Sequence, residues 1–295
     1  MLTKELLAQV KKIEIKTRMV VDEITGGAYL SVFKGRGIEF DEVREYTDTD
    51  DIRDIDWNVT ARMGAPFVKK YIEERELNVM LAYDVSASSF FGSGAKSKNL
   101  AAAEIGALLS LSAIRNHDKV GLLIFSDRTE LYLPPRSGRL HGLRLIRELL
   151  AAEPKGRGTD IRGALERLIR MLHKKSVIFL ISDLMADPES YSRDLRIINR
   201  KHDVVSVRIL DPAELSFPNS GDITLEDAET GVSEFFAGGD SARLSAFRDS
   251  AAAFNQAGPD TCKKAGVDVV DIRCGEDIVK PLLKFFGMRR KKFAV

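Results

Sequence analysis

Short apolar runs, two of them closed by an aspartate, alternate along this chain with helical patterns, and few folds accommodate that rhythm. LNVMLAYD (77–84) and SVIFLISD (176–183) read as strands buried on both faces, each ending in an acid. KVGLLIF (119–125), DVVSVRIL (203–210) and VDVVDIR (267–273) are further runs of this kind, while TELYLPP (129–135) alternates and stops at a proline pair, as an edge strand does. Helical patterns fill the intervals at 96–115, 138–152, 160–173, 188–201, 241–265 and 275–286. The expected fold class is therefore α/β, a mostly parallel central sheet with helices on both faces. DITLEDAETGVSEFF (222–236) interrupts the alternation and reads as a β-hairpin insertion, within about 215–238, turning at Glu229-Thr230-Gly231.

The segment before Leu77 has a different character. Residues 3–25 suggest a helical opening broken by Gly26 and Gly27, and 35–76 is dense in charge and poor in periodic pattern. We expect three parts: a charged, irregular α/β extension over 1–76, the main domain over 77–288, and a basic tail over 289–295. Within the extension, Asp48, Asp50, Asp51, Asp54 and Asp56 are interleaved with Arg53, Arg62 and Trp57. This run reads either as a docking face or second cation site, or as an ion-pair network in which Arg44, Arg53 and Arg62 bond the acids bidentately. The even alternation of sign favours the network. Trp57 fits packing on the sheet and contact with a partner equally.

Charge and composition exclude several classes. Lys plus Arg number 45 against 44 Asp plus Glu, so no global field favours nucleic acid or a membrane surface. Arg289, Arg290, Lys291 and Lys292 read as a solvated tail. Cys262 and Cys274 have no partner cluster and imply reduced thiols. The N-terminus lacks an apolar leader, and no run approaches the ~20 residues of a membrane span, so a cytoplasmic protein is expected.

In an open α/β sheet, ligands bind at the carboxyl ends of the strands. Three features converge there: Asp84-Val85-Ser86-Ala87-Ser88 after the first buried strand, Thr159 in the Gly-rich GRGTD loop before a helix, and Asp183 at the end of another strand. Mg²⁺ prefers six oxygens and keeps several waters. Three neutral hydroxyls would hold such an ion directly, with Asp84 and Asp183 supplying charge at least partly through water, and Mn²⁺ or Ca²⁺ are alternatives. A site short of direct negative ligands leaves the ion able to take a carboxylate from a partner. D-x-S-x-S alone arises by chance in roughly one chain in twenty of this size; the order of all three features at strand ends carries the reading. Asp160 reads as a helix N-terminal acid rather than a ligand.

Other motifs fail on spacing. FFGSGAKS (90–97) resembles a phosphate-binding loop, but Ala95 separates Gly94 from Lys96. Ser93 and Lys96 match S-x-x-K without its companion motifs. His117, His141, His173 and His202 lie far apart and read as surface or capping residues. A metal-assisted hydrolase such as a phosphoesterase would need a base or second metal near Asp84, for which Asp127 and Asp160 are the nearest candidates.

Asp84, Ser86, Ser88, Thr159 and Asp183 are similar to the metal-ion-dependent adhesion site of von Willebrand factor A domains. GRGIEFDEVREY (35–46), DDIRDIDWNVTAR (50–62), FVKKYIEERELNVML (67–81) and LEDAETG (225–231) resemble the bacterial family called domain of unknown function fifty-eight, nearly from end to end. One departure is Asp48-Thr49, where members usually carry a Pro-Gly turn. The resemblance implies a von Willebrand factor A-type, Rossmann-like sheet and a non-enzymatic, metal-dependent adaptor. It also implies a MoxR-type AAA+ ATPase as partner, in chaperone-like assembly, maturation or metal insertion of client proteins. Binding of nucleic acid or a membrane surface through the basic tail is the remaining alternative.

Overall fold

The computed structural model describes residues 38–47, 50–73, 76–94, 96–215, 222–236 and 241–293. The helix expected at 3–25 and the Asp48-Thr49 departure lie outside them. Strand β1 (Ile38–Glu45) and strand β2 (Phe67–Glu73) form an antiparallel pair with a register shift between Phe40 and Glu42, and helix α1 (Trp57–Met63) lies between them in sequence. The extension is thus more regular than its charge density suggested. Arg44 grips Asp50 through two bonds of 2.9 and 2.6 Å, as the network reading requires. Arg53 makes only a long, exposed contact with Asp51, 3.9 Å from Nε to Oδ1, rather than a bidentate bond. Asp51 instead accepts from Arg53 N and caps a short 3₁₀ turn, and Asp56 accepts from Asn58 N and Val59 N to cap α1. Arg62 is exposed, and Trp57 is 67% exposed rather than packed on a sheet.

The chain continues with β3 (Asn78–Asp84), α2 (Lys98–Arg115), β4 (Lys119–Phe125) and β5 (Thr129–Arg136). Next come α3 (Arg139–Leu150), α4 (Ile161–Met171), β6 (Ser176–Ser182), α5 (Pro188–Lys201), β7 (Asp203–Leu210) and the short α6 (Pro212–Leu215). Strands β8 (Ile223–Glu226) and β9 (Ser233–Phe236) form the hairpin, and α7 (Ser241–Lys264), β10 (Asp268–Arg273) and α8 (Val279–Phe293) complete the chain. The six-stranded sheet has the order β10-β7-β6-β3-β4-β5, parallel throughout except for β5 against β4. This is the expected α/β architecture, a mostly parallel central sheet with helices on both faces.

Side-chain alternation splits the core in two. Val79, Leu81 and Tyr83 of β3 join Val177, Phe179 and Ile181 of β6 on the face covered by α2, α3 and α8. Met80 and Ala82 join Ile178 and Leu180 on the opposite face, under α4, α5 and α7. Strand β6 is buried along its whole length, which is why its sequence is an unbroken apolar run. Sequence order reverses between β3 and its neighbour β6, since the chain first builds β4 and β5 on one side of β3 and then crosses to the other. That switch point opens at the carboxyl ends of the two strands.

Helix α8 continues to Phe293, through residues read as a basic tail. Arg289 follows Leu282, Phe285 and Phe286 at helical spacing on the buried face, and it is 9% exposed. Its guanidinium donates to Asp203 at 2.8 and 2.9 Å and to Asp268 at 2.6 Å, tying the helix to the starts of β7 and β10. His202 is likewise buried, not on the surface, and it closes α5. Cys262 and Cys274 are buried free thiols. Among the described residues no helix is long and apolar enough to cross a membrane.

Candidate functional site

Asp84 is the last residue of β3, and the chain turns there into Val85-Ser86-Ala87-Ser88. Val85 N donates to Phe125 O at 2.8 Å, and Ala87 N donates to Arg157 O at 2.9 Å. The second bond fastens this loop to the Gly-rich loop that carries Thr159. Asp160 N donates to Ser126 O at 2.9 Å, and the Asp160 carboxylate caps α4 by accepting from Gly163 N. Asp160 therefore has the helix-capping place expected of it.

The Asp84 carboxylate accepts from Ser86 N at 2.9 Å on one oxygen and from Ser182 Oγ at 2.6 Å on the other. It is almost fully buried. Burial, together with the neighbouring charge of Asp183, pushes its pKa up to about 7, against the opposing pull of the Ser182 and Ser86 hydrogen bonds. Asp183 follows β6 and accepts from Met185 N at 3.0 Å, a turn made possible by Leu184, whose φ of 59° is rare for a branched side chain. Its other oxygen accepts from Lys98 Nζ at 2.8 Å.

Ser86 is buried and Ser88 half-buried, and their hydroxyl oxygens are 3.1 Å apart. Thr159 Oγ1 donates to Glu229 Oε1 at 2.5 Å, and Glu229 in turn senses the charge of Asp183. The structure thus gathers all five residues expected from sequence at one mouth of the sheet. It also adds four that sequence reasoning missed: Ser182, Lys98, Glu214 and Glu229. Lys98 opens α2, fully buried, and pairs with both Asp183 and Glu214. Burial alone would push its pKa down, but the two carboxylates hold it above its ordinary value. A lysine in the first turn of an otherwise apolar helix, where the dipole disfavours a cation, is a signal the sequence did contain. Glu229 lies in the LEDAETG segment, where the sequence marks only a turn.

The donor set is compatible with a hard divalent ion. Adjacent vertices of an octahedron with ~2.1 Å metal–oxygen bonds are about 3.0 Å apart, close to the 3.1 Å between Ser86 Oγ and Ser88 Oγ. Among the described residues, Asp84, Asp183, Glu214 and Glu229 converge here around the ammonium of Lys98, so added positive charge is favourable. No cluster of three or more His, Cys, Asp or Glu side chains placed to hold a metal occurs among the described residues.

Asp127 and Asp160, the hydrolase candidates, lie beside the Gly-rich loop with partners of their own. Asp127 accepts from Arg128 Nε at 2.8 Å, and that guanidinium holds its pKa below the usual carboxylate value. Ser93 bonds Asp211, and Lys96 bonds Glu104 at 2.7 Å, so these two do not form a nucleophile–base pair.

An uncharacterized protein of Mycobacterium tuberculosis is 31% identical over 290 residues, spanning 97% of this chain and 90% of that protein. An uncharacterized Mycobacterium avium protein is 30% identical over 161 residues, spanning 54% of this chain and 94% of that protein. Among solved structures, the conserved hypothetical protein BatB from Bacteroides thetaiotaomicron aligns with a TM-score of 0.48 and 14% identity, covering 74% of this chain and 98% of that one. An aerotolerance-related membrane protein from Bacteroides fragilis aligns with a TM-score of 0.47 and 18% identity, covering 73% and 99%. Residues 42–256 match the family model described as Protein of unknown function DUF58, and the chain belongs to that family.

Proposed function

We propose that this chain is a non-enzymatic, metal-dependent protein-interaction module that takes an acidic side chain of a partner through Mg²⁺, or through Mn²⁺ or Ca²⁺. Ser86, Ser88 and Thr159 would hold the ion directly, and Asp84 and Asp183 at least partly through water. When bound, the ion supplies an electrophilic coordination position for a carboxylate. The observation that carries the reading is the pair of serine hydroxyls 3.1 Å apart beside the buried Asp84, at the switch point of the sheet. Ser182 and Ser86 N orient the Asp84 carboxylate, and Lys98 fixes Asp183. The favoured partner is a MoxR-type AAA+ ATPase or one of its client proteins, with a chaperone-like role in assembly or maturation; this choice comes from the family resemblance.

The test is affinity capture of the organism's own MoxR-type ATPase by the tagged full chain, in Mg²⁺, in EDTA, and with Ser86→Ala/Ser88→Ala. Capture that requires both the ion and the two hydroxyls supports the reading. Equal capture under all three conditions sinks the metal-bridged contact, and no capture under any condition removes this ATPase as the partner.

A further inference from the structure

The turn of the β8–β9 hairpin is built by its own residues. Asp227 accepts from Glu229 N at 2.9 Å and from Thr230 N at 3.2 Å, and Gly231 takes the positive φ of 74° that the reversal needs. Strands β8 and β9 pair only with each other among the described residues, so the hairpin stands outside the six-stranded sheet. An isolated two-stranded hairpin is marginal in water. Asp227, Ala228 and Thr230 at its tip are exposed, yet Glu229 between them is half-buried and reaches Thr159 Oγ1 at 2.5 Å. The chain therefore presents its own carboxylate to the hydroxyl that the partner-binding reading assigns to the ion.

Resting on that reading, we propose that the hairpin is a built-in competitor: Glu229 occupies the place a partner carboxylate takes, and the partner binds by displacing it. A carboxylate offered from outside then meets a site already satisfied from within. Only a ligand that outcompetes the tethered glutamate, through further contacts on the exposed Val232 and Phe235 of the displaced hairpin or elsewhere, gains entry. The hairpin thus sets a threshold against stray acidic ligands.

Two measurements on the full chain decide it. The first is hydrogen exchange of the 222–236 amides in EDTA, which reads the seating of the hairpin without the ion. Glu229→Ala and Thr159→Val should each speed this exchange about tenfold, the loss expected for one charge-assisted hydrogen bond. Glu226→Ala, an exposed acid on the same hairpin, should leave it unchanged. The second is Mn²⁺ titration, followed by fluorescence anisotropy of a short labelled peptide bearing a single glutamate. Glu229→Ala should bind the peptide at least about tenfold more tightly than wild type in Mn²⁺. Unchanged exchange in Glu229→Ala, with Mn²⁺ bound normally, overturns the competitor and leaves the partner-binding reading intact. Faster exchange with no Mn²⁺ bound by either protein overturns the partner-binding reading and the competition with it, reducing the Thr159–Glu229 contact to a structural bond.

Discussion

Lys98 Nζ lies 2.8 Å from Asp183 Oδ2, and the two side chains are only 1% and 2% exposed. Desolvation of both charges is repaid only while both partners, and Glu214 beside them, stay in place. Lys98→Met should therefore lower stability by about 3–5 kcal/mol, measured by urea unfolding in EDTA. Adding Glu214→Gln should recover part of the loss, because one of the two stranded acids becomes neutral. A loss below about 1 kcal/mol would show that water or rearrangement replaces the ammonium easily.

The serine hydroxyls separate metal binding from folding. Ser86→Ala and Ser88→Ala should each weaken Mn²⁺ binding about tenfold or more by calorimetric titration, while the urea midpoint moves by no more than about 1 kcal/mol in free energy. Ser182→Ala should behave differently. Its hydroxyl donates to Asp84 at 2.6 Å and accepts from Leu184 N at 3.0 Å, so its removal costs about 1–3 kcal/mol of stability as well. Wild-type Mn²⁺ affinity in both single alanine variants at 86 and 88 would exclude the hydroxyls as ligands.

The clamp of Arg289 on Asp203 and Asp268 gives α8 its anchor. The acids are partly exposed, which discounts the effect, and Arg289→Ala should lower stability by about 1–3 kcal/mol in thermal or urea unfolding. Lys291→Ala, two residues on and exposed, should fall within about 0.5 kcal/mol of wild type. Equal effects from the two substitutions would mean that the basic run acts as a solvated tail after all.

The sheet was legible because β3, β6 and β7 are buried on both faces, which leaves uninterrupted apolar runs in the sequence. The pair β1 and β2 was not, because IEFDEVRE and FVKKYIE mix charge with apolar residues at every step. The nearness of Asp84 and Asp183 was legible from their places at strand ends, and that of Thr159 from its Gly-rich loop before a helix. Lys98 and Glu229 join the site through contacts spanning 85 and 70 residues of sequence, to Asp183 and Thr159. Local periodicity carries no information about such distances. Arg289 was misread because a cluster of four basic residues hides the one that shares a helical face with Leu282 and Phe285.

At the opposite end of β4 from the candidate site, Asp118 offers a test of buried charge alone. Its side chain is buried; one oxygen accepts from Leu77 N at 2.9 Å, and the other has no hydrogen-bond partner among the described residues. Burial, with a smaller contribution from Glu76 and against the Leu77 hydrogen bond, pushes its pKa from 3.8 up to about 7. The folded protein therefore holds this proton more tightly than the unfolded chain does. The contribution of Asp118 to stability should fall as pH rises from about 4 to about 7 and then level off, because above that range the native state carries an ionised carboxylate out of water. Asparagine keeps an oxygen for Leu77 N and cannot ionise. The stability of Asp118→Asn relative to wild type should thus improve by about 2–4 kcal/mol between pH 4 and pH 8, since each pH unit separating the folded and unfolded pKa contributes about 1.4 kcal/mol. Urea unfolding at the two pH values measures the difference directly. A relative stability independent of pH would mean that water reaches the second oxygen and the carboxylate is solvated in the native state.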